Sequence, residues 1–331
     1  MIYLLLRVLR IFPPETSSKI SLQTLKFLHE LFPKFFRNKS KKYFYPQNKL
    51  EILNLNFPNK IGISAGLDKE GKYFSSIGSI GFGFIEIGTF TPRPQEGNPY
   101  PRIKRINSEQ SIVNKLGFNN PGIIEGIKNL KINKHKYLGI VGVSIGKNKD
   151  TPLDEAIKDY LFCLEESYYL ADYIAINISS PNTKDLRLLS EKQHFSLLIE
   201  EIMSAKERLR LKHNKETPFF VKISPDEDLD HLEHMIEVSV KLGISGLIVC
   251  NTTLGEVENF KGGISGKLLK EKSLAILETV NILNNGRLVI ISCGGIFDKT
   301  DLNERSKLGA DLFQLYTSFV FEGPKILDKL I

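Results

Sequence analysis

The sequence predicts an α/β fold, a (β/α)8 TIM barrel with a small N-terminal helical extension, and three observations carry that prediction. Eight short apolar runs rich in β-branched residues recur from Ile61 onward. Most are separated by stretches long enough for a helix, the alternation that parallel βαβ units produce. Polar residues gather just after each run, at the end where such a barrel builds its site. Eight units close a barrel, and no G-x-G-x-x-G follows the first run, which speaks against an open dinucleotide-binding sheet.

Residues 1–48 read as the extension and its linker, and residues 49–331 as the barrel. Met1–Phe12 is apolar, is interrupted by Arg7 and Arg10, and stops at Pro13-Pro14. It is too short to span a bilayer and lacks the basic start and cleavage site of a signal peptide. A second helix is expected over Ser21–Phe32, with Leu22, Leu25, Leu28 and Phe32 at helical spacing. Two such helices, flanked by Arg and Lys, suit either a membrane interface or packing on the barrel. Phe35–Asn48 is basic and aromatic and reads as a linker.

The expected strands are Ile61–Ala65, Phe82–Ile87, Leu138–Ile145, Tyr173–Ile178, Phe219–Ile223, Gly246–Cys250, Leu288–Ser292 and Leu312–Tyr316. Helices are expected over Ser190–Leu209, Asp228–Leu242 and Lys267–Leu283. Thr91–Lys136, after the second strand, reads as one long functional loop.

Composition narrows the function. The 331 residues are 41% hydrophobic and 25% charged, as in a soluble globular protein. The net charge of +7 comes from scattered lysines with no basic block, so nucleic acid is not an expected partner, whereas an anionic ligand or membrane surface is compatible. Cys163, Cys250 and Cys293 show neither metal-ligand spacing nor a disulfide pattern. His231 and His234 stand three apart on an expected helix among acidic residues, and read as a solvated face rather than a metal site. No metal and no P-loop are expected.

Asn177 is the anomaly of the fourth strand, an amide with up to four hydrogen bonds to satisfy inside an apolar run. Left unpaired it would cost roughly 1–3 kcal/mol, so either a capped turn or a polar ligand is expected at its side. Gly294-Gly295 and Tyr316-Thr317 follow the last two strands, where barrels often hold phosphate. Asn114, Asn119 and Asn120 supply amides suited to a ligand with carbonyl and carboxylate groups.

Taken together, these segments resemble the dihydroorotate dehydrogenases, specifically the class 2, quinone-dependent, membrane-associated type. The resemblance rests on S-A-G-L-D-K (64–69), E-I-G-T-F-T-P-R-P-Q-E-G-N-P (86–99), N-K-L-G-F-N-N (114–120), I-G-K-N-K-D-T-P (145–152) and A-I-N-I-S-S-P-N-T (175–183). It continues through V-K-I-S-P-D (221–226), N-T-T-L (251–254), G-G-I-S-G (262–266), C-G-G-I (293–296) and Q-L-Y-T (314–317). It implies an FMN enzyme that oxidises dihydroorotate to orotate in pyrimidine synthesis and is reoxidised by ubiquinone or menaquinone.

By the same resemblance Ser180 is the base that removes the C5 proton; soluble class 1 relatives carry cysteine there. Lys69, Asn114, Lys115, Leu116, Gly117, Phe118, Asn177, Asn182, Asn251 and Thr252 would hold substrate. Ala65, Gly66, Leu67, Asp68, Lys69, Thr89, Ser144, Asn177, Lys222, Cys250, Gly266, Gly295, Tyr316 and Thr317 would hold FMN. Ser144 and Cys250 depart from the asparagine and threonine common in the family; the flavin contact at Ser144 would be altered or lost, and little would change at Cys250 if the contact there is made by backbone. Arg105 would meet the quinone where the N-terminal helices reach the barrel; otherwise it is a surface arginine. The implied setting is a monomer, peripheral on the cytoplasmic side of the cell inner membrane. The residues themselves leave open other readings: a soluble flavin dehydrogenase with another acceptor, a Schiff-base lyase or aldolase using Lys222, or a flavin-binding protein without turnover.

Overall fold

The computed structural model describes residues 11–44 and 49–331. The helix expected over Met1–Phe12 lies, apart from its last two residues, outside that range. Two proline-led helices open the described chain, α1 (Pro14–Leu31) and α2 (Pro33–Lys41). Proline suits the first turn of a helix, where its missing N–H would have no partner anyway. Pro14 therefore starts a helix rather than only ending one, and α1 begins well before Ser21. Pro33–Lys41 is helical where a linker was expected, because its Phe36 and Ser40 find something to bury against.

A hairpin of β1 (Leu50–Ile52) and β2 (Leu55–Phe57) follows, and the sequence reading had no element there. The chain then runs through β3 (Ile61–Ile63), α3 (Phe74–Gly78) and β4 (Phe84–Phe90). Next come β5 (Ile103–Ile106), β6 (Ser111–Asn114), α4 (Ile123–Asn133), β7 (Ile140–Ile145) and α5 (Ala156–Ser167). β8 (Tyr173–Asn177), α6 (Lys192–His213), β9 (Phe219–Lys222), α7 (Leu229–Leu242) and β10 (Gly246–Val249) continue the alternation. A second hairpin, β11 (Thr253–Val257) and β12 (Phe260–Gly266), precedes α8 (Lys270–Asn284). β13 (Val289–Cys293), α9 (Lys299–Lys307), β14 (Leu312–Leu315), α10 (Thr317–Glu322) and α11 (Ile326–Leu330) follow.

The barrel strands are β3, β4, β7, β8, β9, β10, β13 and β14, the eight expected, all in parallel register. β14 pairs back on β3, with Phe313 opposite Ile61, so the barrel closes. The expected long loop after β4 is not one loop. It contributes β5 and β6, which join β11 and β12 in a four-stranded antiparallel sheet beside the top of the barrel. β5 pairs with its neighbour β6, but β6 takes its other partner, β12, from a distant part of the chain, which local pattern alone could not reveal.

Alternation along each strand sorts side chains between the barrel interior and the surrounding helices. Phe84, Tyr173, Phe220, Ile248, Ile291 and Leu312 pack together inside as a lower layer. Phe57 of the first hairpin closes the floor, its ring edge-on to Phe84 at 5.5 Å. The next inward layer is polar and holds Glu86, Lys222 and Gln314. With the floor filled, that layer faces the open, C-terminal end.

Candidate active site

A cavity of about 1140 Å³ lies above the polar layer and extends beneath α1. That exceeds the ~300–1,000 Å³ of ordinary small-molecule sites. There is room for more than one ring system.

At one wall, asparagines are wired to one another. Asn177 Nδ2 donates to Thr89 Oγ1 at 2.9 Å, and its Oδ1 accepts from Asn251 Nδ2 at 3.3 Å. Asn182 Nδ2 donates to Asn114 Oδ1 at 3.0 Å, and Asn114 Nδ2 donates to the Gly263 carbonyl at 3.1 Å. Asn251 Nδ2 also reaches Ser179 Oγ at 3.1 Å. The anomalous strand amide is thus part of a network that joins the ends of β4, β8 and β10, and such networks hold their members in one geometry. Ser180, only 6% exposed, accepts a hydrogen bond at Oγ from the Asn182 backbone N–H at 3.3 Å.

The long segment after β4 forms the facing wall. Phe118 has φ 53°, an uncommon value for a large side chain, and is held there from two sides. Gln95 Nε2 donates to the Gly117 and Phe118 carbonyls at 3.0 and 3.1 Å, and Asn120 Nδ2 donates to the Phe118 carbonyl at 2.7 Å. Asn98 Nδ2 bridges the Lys115 and Asn182 carbonyls, each at 3.0 Å.

Two lysines bring positive charge. Lys69 Nζ donates to the Gly66 carbonyl at 2.7 Å, and burial pulls its pKa down to about 8. Lys222, 5% exposed, has Nζ 3.7 Å from Glu86 Oε1. Glu86 Oε2 accepts from Gln314 Nε2 at 2.8 Å and from the Tyr173 hydroxyl at 3.0 Å. Sequence reasoning missed Glu86, Gln314 and Tyr173 as part of the site. The available signal was a charged residue and an amide inside otherwise apolar strands.

At the opposite end, Gly294 and Gly295 turn with φ 109° and 71°, values that favour glycine. A Cβ on Gly295 would come within 2.7 Å of the Lys270 backbone. Gly295 and Ile296 are buried and line the cavity, and their backbone N–H groups have no partner among the described residues. Buried N–H groups require an acceptor, so this turn fits the phosphate of a nucleotide-like cofactor. Nearby Thr317 Oγ1 donates to Ser265 Oγ at 2.8 Å, and burial raises the Tyr316 phenol to about 12.

Most of the residues singled out from the sequence line this cavity, including Ala65, Leu67, Leu116, Thr252, Cys250 and Gly266. Asp68, Lys115 and Ser144 do not. Both Asp68 oxygens are occupied by the backbone N–H groups of Glu70, Lys72, Tyr73 and Phe74. Lys115 lays its ammonium over the Phe260 ring at 4.9 Å. Ser144 Oγ lies 2.8 Å from Thr89 Oγ1 and so reaches the cavity only through that threonine. The thiols of Cys250 and Cys293 are pushed up by burial. His234 contacts Ser196 Oγ and the Lys192 carbonyl, and His231 lies beside Asp228.

Toward α1 the lining turns apolar, with Leu22, Leu25, Leu28, Phe319 and Val320. Arg102, just before β5, joins Glu15 of α1 at 2.8 Å. Arg105 of β5 donates from Nη2 to the Phe12 carbonyl at 2.5 Å.

A closed parallel barrel with an amide-lined, anion-receptive cavity at its C-terminal end defines a (β/α)8 enzyme. Residues 48–331 match the family described as dihydroorotate dehydrogenase, and the chain belongs to that family. The protein "Dihydroorotate dehydrogenase (quinone)" of Cellvibrio japonicus is 41% identical over 321 residues, 95% of this chain and 92% of that one. The protein of the same description from Nitrosospira multiformis is 39% identical, covering 100% of this chain and 95% of its own. Among solved structures, DHODH from Eimeria tenella in complex with ferulenol superposes with a TM-score of 0.83 at 32% identity, over 94% of this chain and 89% of that one.

Proposed function

We propose that this chain is an FMN-dependent enzyme that oxidises (S)-dihydroorotate to orotate in pyrimidine biosynthesis and passes the electrons to ubiquinone or menaquinone. The observation that carries the reading is one cavity in which Ser180, the asparagine network, the half-buried Lys69, the buried Lys222 and the donor-rich Gly294–Gly295 turn converge. Family membership sets aside the Schiff-base reading of Lys222, whose Nζ lies beside Glu86 instead.

Bound here, a flavin supplies a hydride acceptor for the substrate and an electron donor for the quinone. The chain's own residues do the rest. Asn114, Asn177, Asn182 and Asn251 present donors and acceptors to the planar edge of the substrate, and the Lys69 ammonium receives its carboxylate. Ser180 Oγ takes the C5 proton as its own hydroxyl proton passes to water. The Asn182 N–H occupies one lone pair of that oxygen and orients the other. Lys222 sets positive charge where reduction adds negative charge. The Gly295 and Ile296 N–H groups receive the phosphate, which orients the cofactor along the cavity.

Residues 1–48 form the quinone-access segment in this reading, and residues 49–331 the catalytic barrel. Phe27, Leu31, Phe32 and Phe35 project from α1 and α2 with exposures of 62%, 56%, 52% and 63%. Such an apolar tip suits a membrane interface, while no described helix is long and apolar enough to cross one. We place the protein as a peripheral monomer on the cytoplasmic side of the inner membrane. The test is anaerobic titration: dihydroorotate should bleach the bound flavin, and a quinone should restore its colour. A protein with flavin that dihydroorotate cannot bleach would overturn the assignment.

A further inference from the structure

We propose that Arg305, which touches neither reactant, is a positioning residue for the cofactor phosphate, acting from behind the Gly294–Gly295 turn. The inference rests on the phosphate placement made above. Arg305 belongs to α9, on the outer side of the barrel wall, and is 0% exposed. Its Nη1 donates to Ser292 Oγ of β13 at 3.0 Å, and Nη2 donates to Ser273 Oγ at 2.7 Å and to the Gly294 carbonyl. Ser273 Oγ lies 3.0 Å from the same carbonyl.

Every one of those partners is neutral. Among the described residues no carboxylate stands within ion-pairing distance of Arg305, and its buried Nε has no partner. On its own helix Asp301 and Glu304 act on Arg305 only from beyond ion-pairing distance, and both reach Lys270 instead. Asp301 pairs with Lys270 at 2.7 Å and accepts from the Phe297 and Asp298 backbone N–H groups. Burying a guanidinium without a counter-charge is costly, so its place here calls for a negative charge nearby.

The turn shows where that charge belongs. Carbonyl and N–H of a trans peptide point in opposite directions. Arg305 and Ser273 draw the Gly294 carbonyl toward the barrel exterior, and the Gly295 N–H is thereby aimed the other way, into the cavity. That N–H and its neighbour on Ile296 are the buried donors without a protein acceptor. One guanidinium thus orients the donors and places positive charge behind them. A phosphate dianion is the ligand group that satisfies both; a neutral hydroxyl would satisfy only the donors.

The experiment compares FMN with riboflavin, which lacks the phosphate, by fluorescence titration of the full-length protein stripped of its flavin. Wild-type protein should bind FMN more tightly. Arg305→Met should weaken FMN about 10–100-fold through the lost charge and leave riboflavin affinity unchanged, while Arg305→Lys should retain most of the FMN preference. Should Arg305→Met fail to fold, Arg305→Gln keeps donors to the Gly294 carbonyl without the charge, and the same pair of titrations applies. An FMN preference that survives loss of the charge overturns the inference, as does an equal fall for both ligands. A wild-type protein without any FMN preference would instead remove the phosphate from this turn, and with it the reading on which the inference rests.

Discussion

At the scale of single residues, the site combines two kinds of group: those that face the cavity and those that fix them there. Ser180 is the clearest of the first kind. Its hydroxyl has one backbone donor, from Asn182, and in the proposed reaction a serine so placed would act as a base only by position. Ser180→Ala should slow flavin reduction by dihydroorotate at least ~10²-fold in anaerobic stopped flow, the usual worth of a positioned base. Near-normal reduction would take Ser180 out of that role. Lys69 adds a pH dependence. Burial lowers its pKa to about 8, so its ammonium persists below that value and is lost above it. Orotate affinity should therefore be level below pH ~8 and weaken above it, and Lys69→Met should abolish the break. Ser180, Asn177 and Lys222 were legible in the sequence because each is a polar residue where a strand pattern ends. Asp68 shows the limit: its carboxylate lies within the same motif as Lys69, yet turns away to cap backbone N–H groups, and spacing alone could not say which way it points.

At the scale of elements, the eight barrel strands could be read because each buries both faces and so appears as an unbroken apolar run. The hairpins could not. β1–β2 is short, and the hairpins β5–β6 and β11–β12 join into one sheet only through β6 on β12, across a long separation in sequence. The helix expected over Ser21–Phe32 was read too short and the next one was missed, since proline was not taken as a first helical residue. Their exposed tip yields a separate prediction. Replacing Phe27, Leu31, Phe32 and Phe35 together by serine should abolish co-sedimentation with liposomes while dihydroorotate still bleaches the flavin. Retained membrane binding would move the contact elsewhere, because these four side chains are the bulk of the exposed apolar surface on α1 and α2.

At the scale of the whole molecule, closure governs everything above it. β14 on β3 completes the ring, and Phe57 stops its floor. Phe57→Ala should cost about 3–5 kcal/mol, as large-to-small changes in a packed core do. Calorimetry should show a lower melting temperature with an unaltered rate of flavin reduction, since Phe57 lies beneath the polar layer and not in it. A changed rate would mean that the floor and the chemistry are coupled. The roof is held differently. Asn98 lies outside the cavity lining, yet its single amide nitrogen serves both the Lys115 and the Asn182 carbonyls. Those carbonyls belong to the two walls that face each other across the substrate space. Neither wall can swing out while keeping that nitrogen on the other. With the Asn182 Nδ2 bond to Asn114 Oδ1 crossing the same gap, the entrance behaves as a double door with two bolts, and its two leaves must be released together.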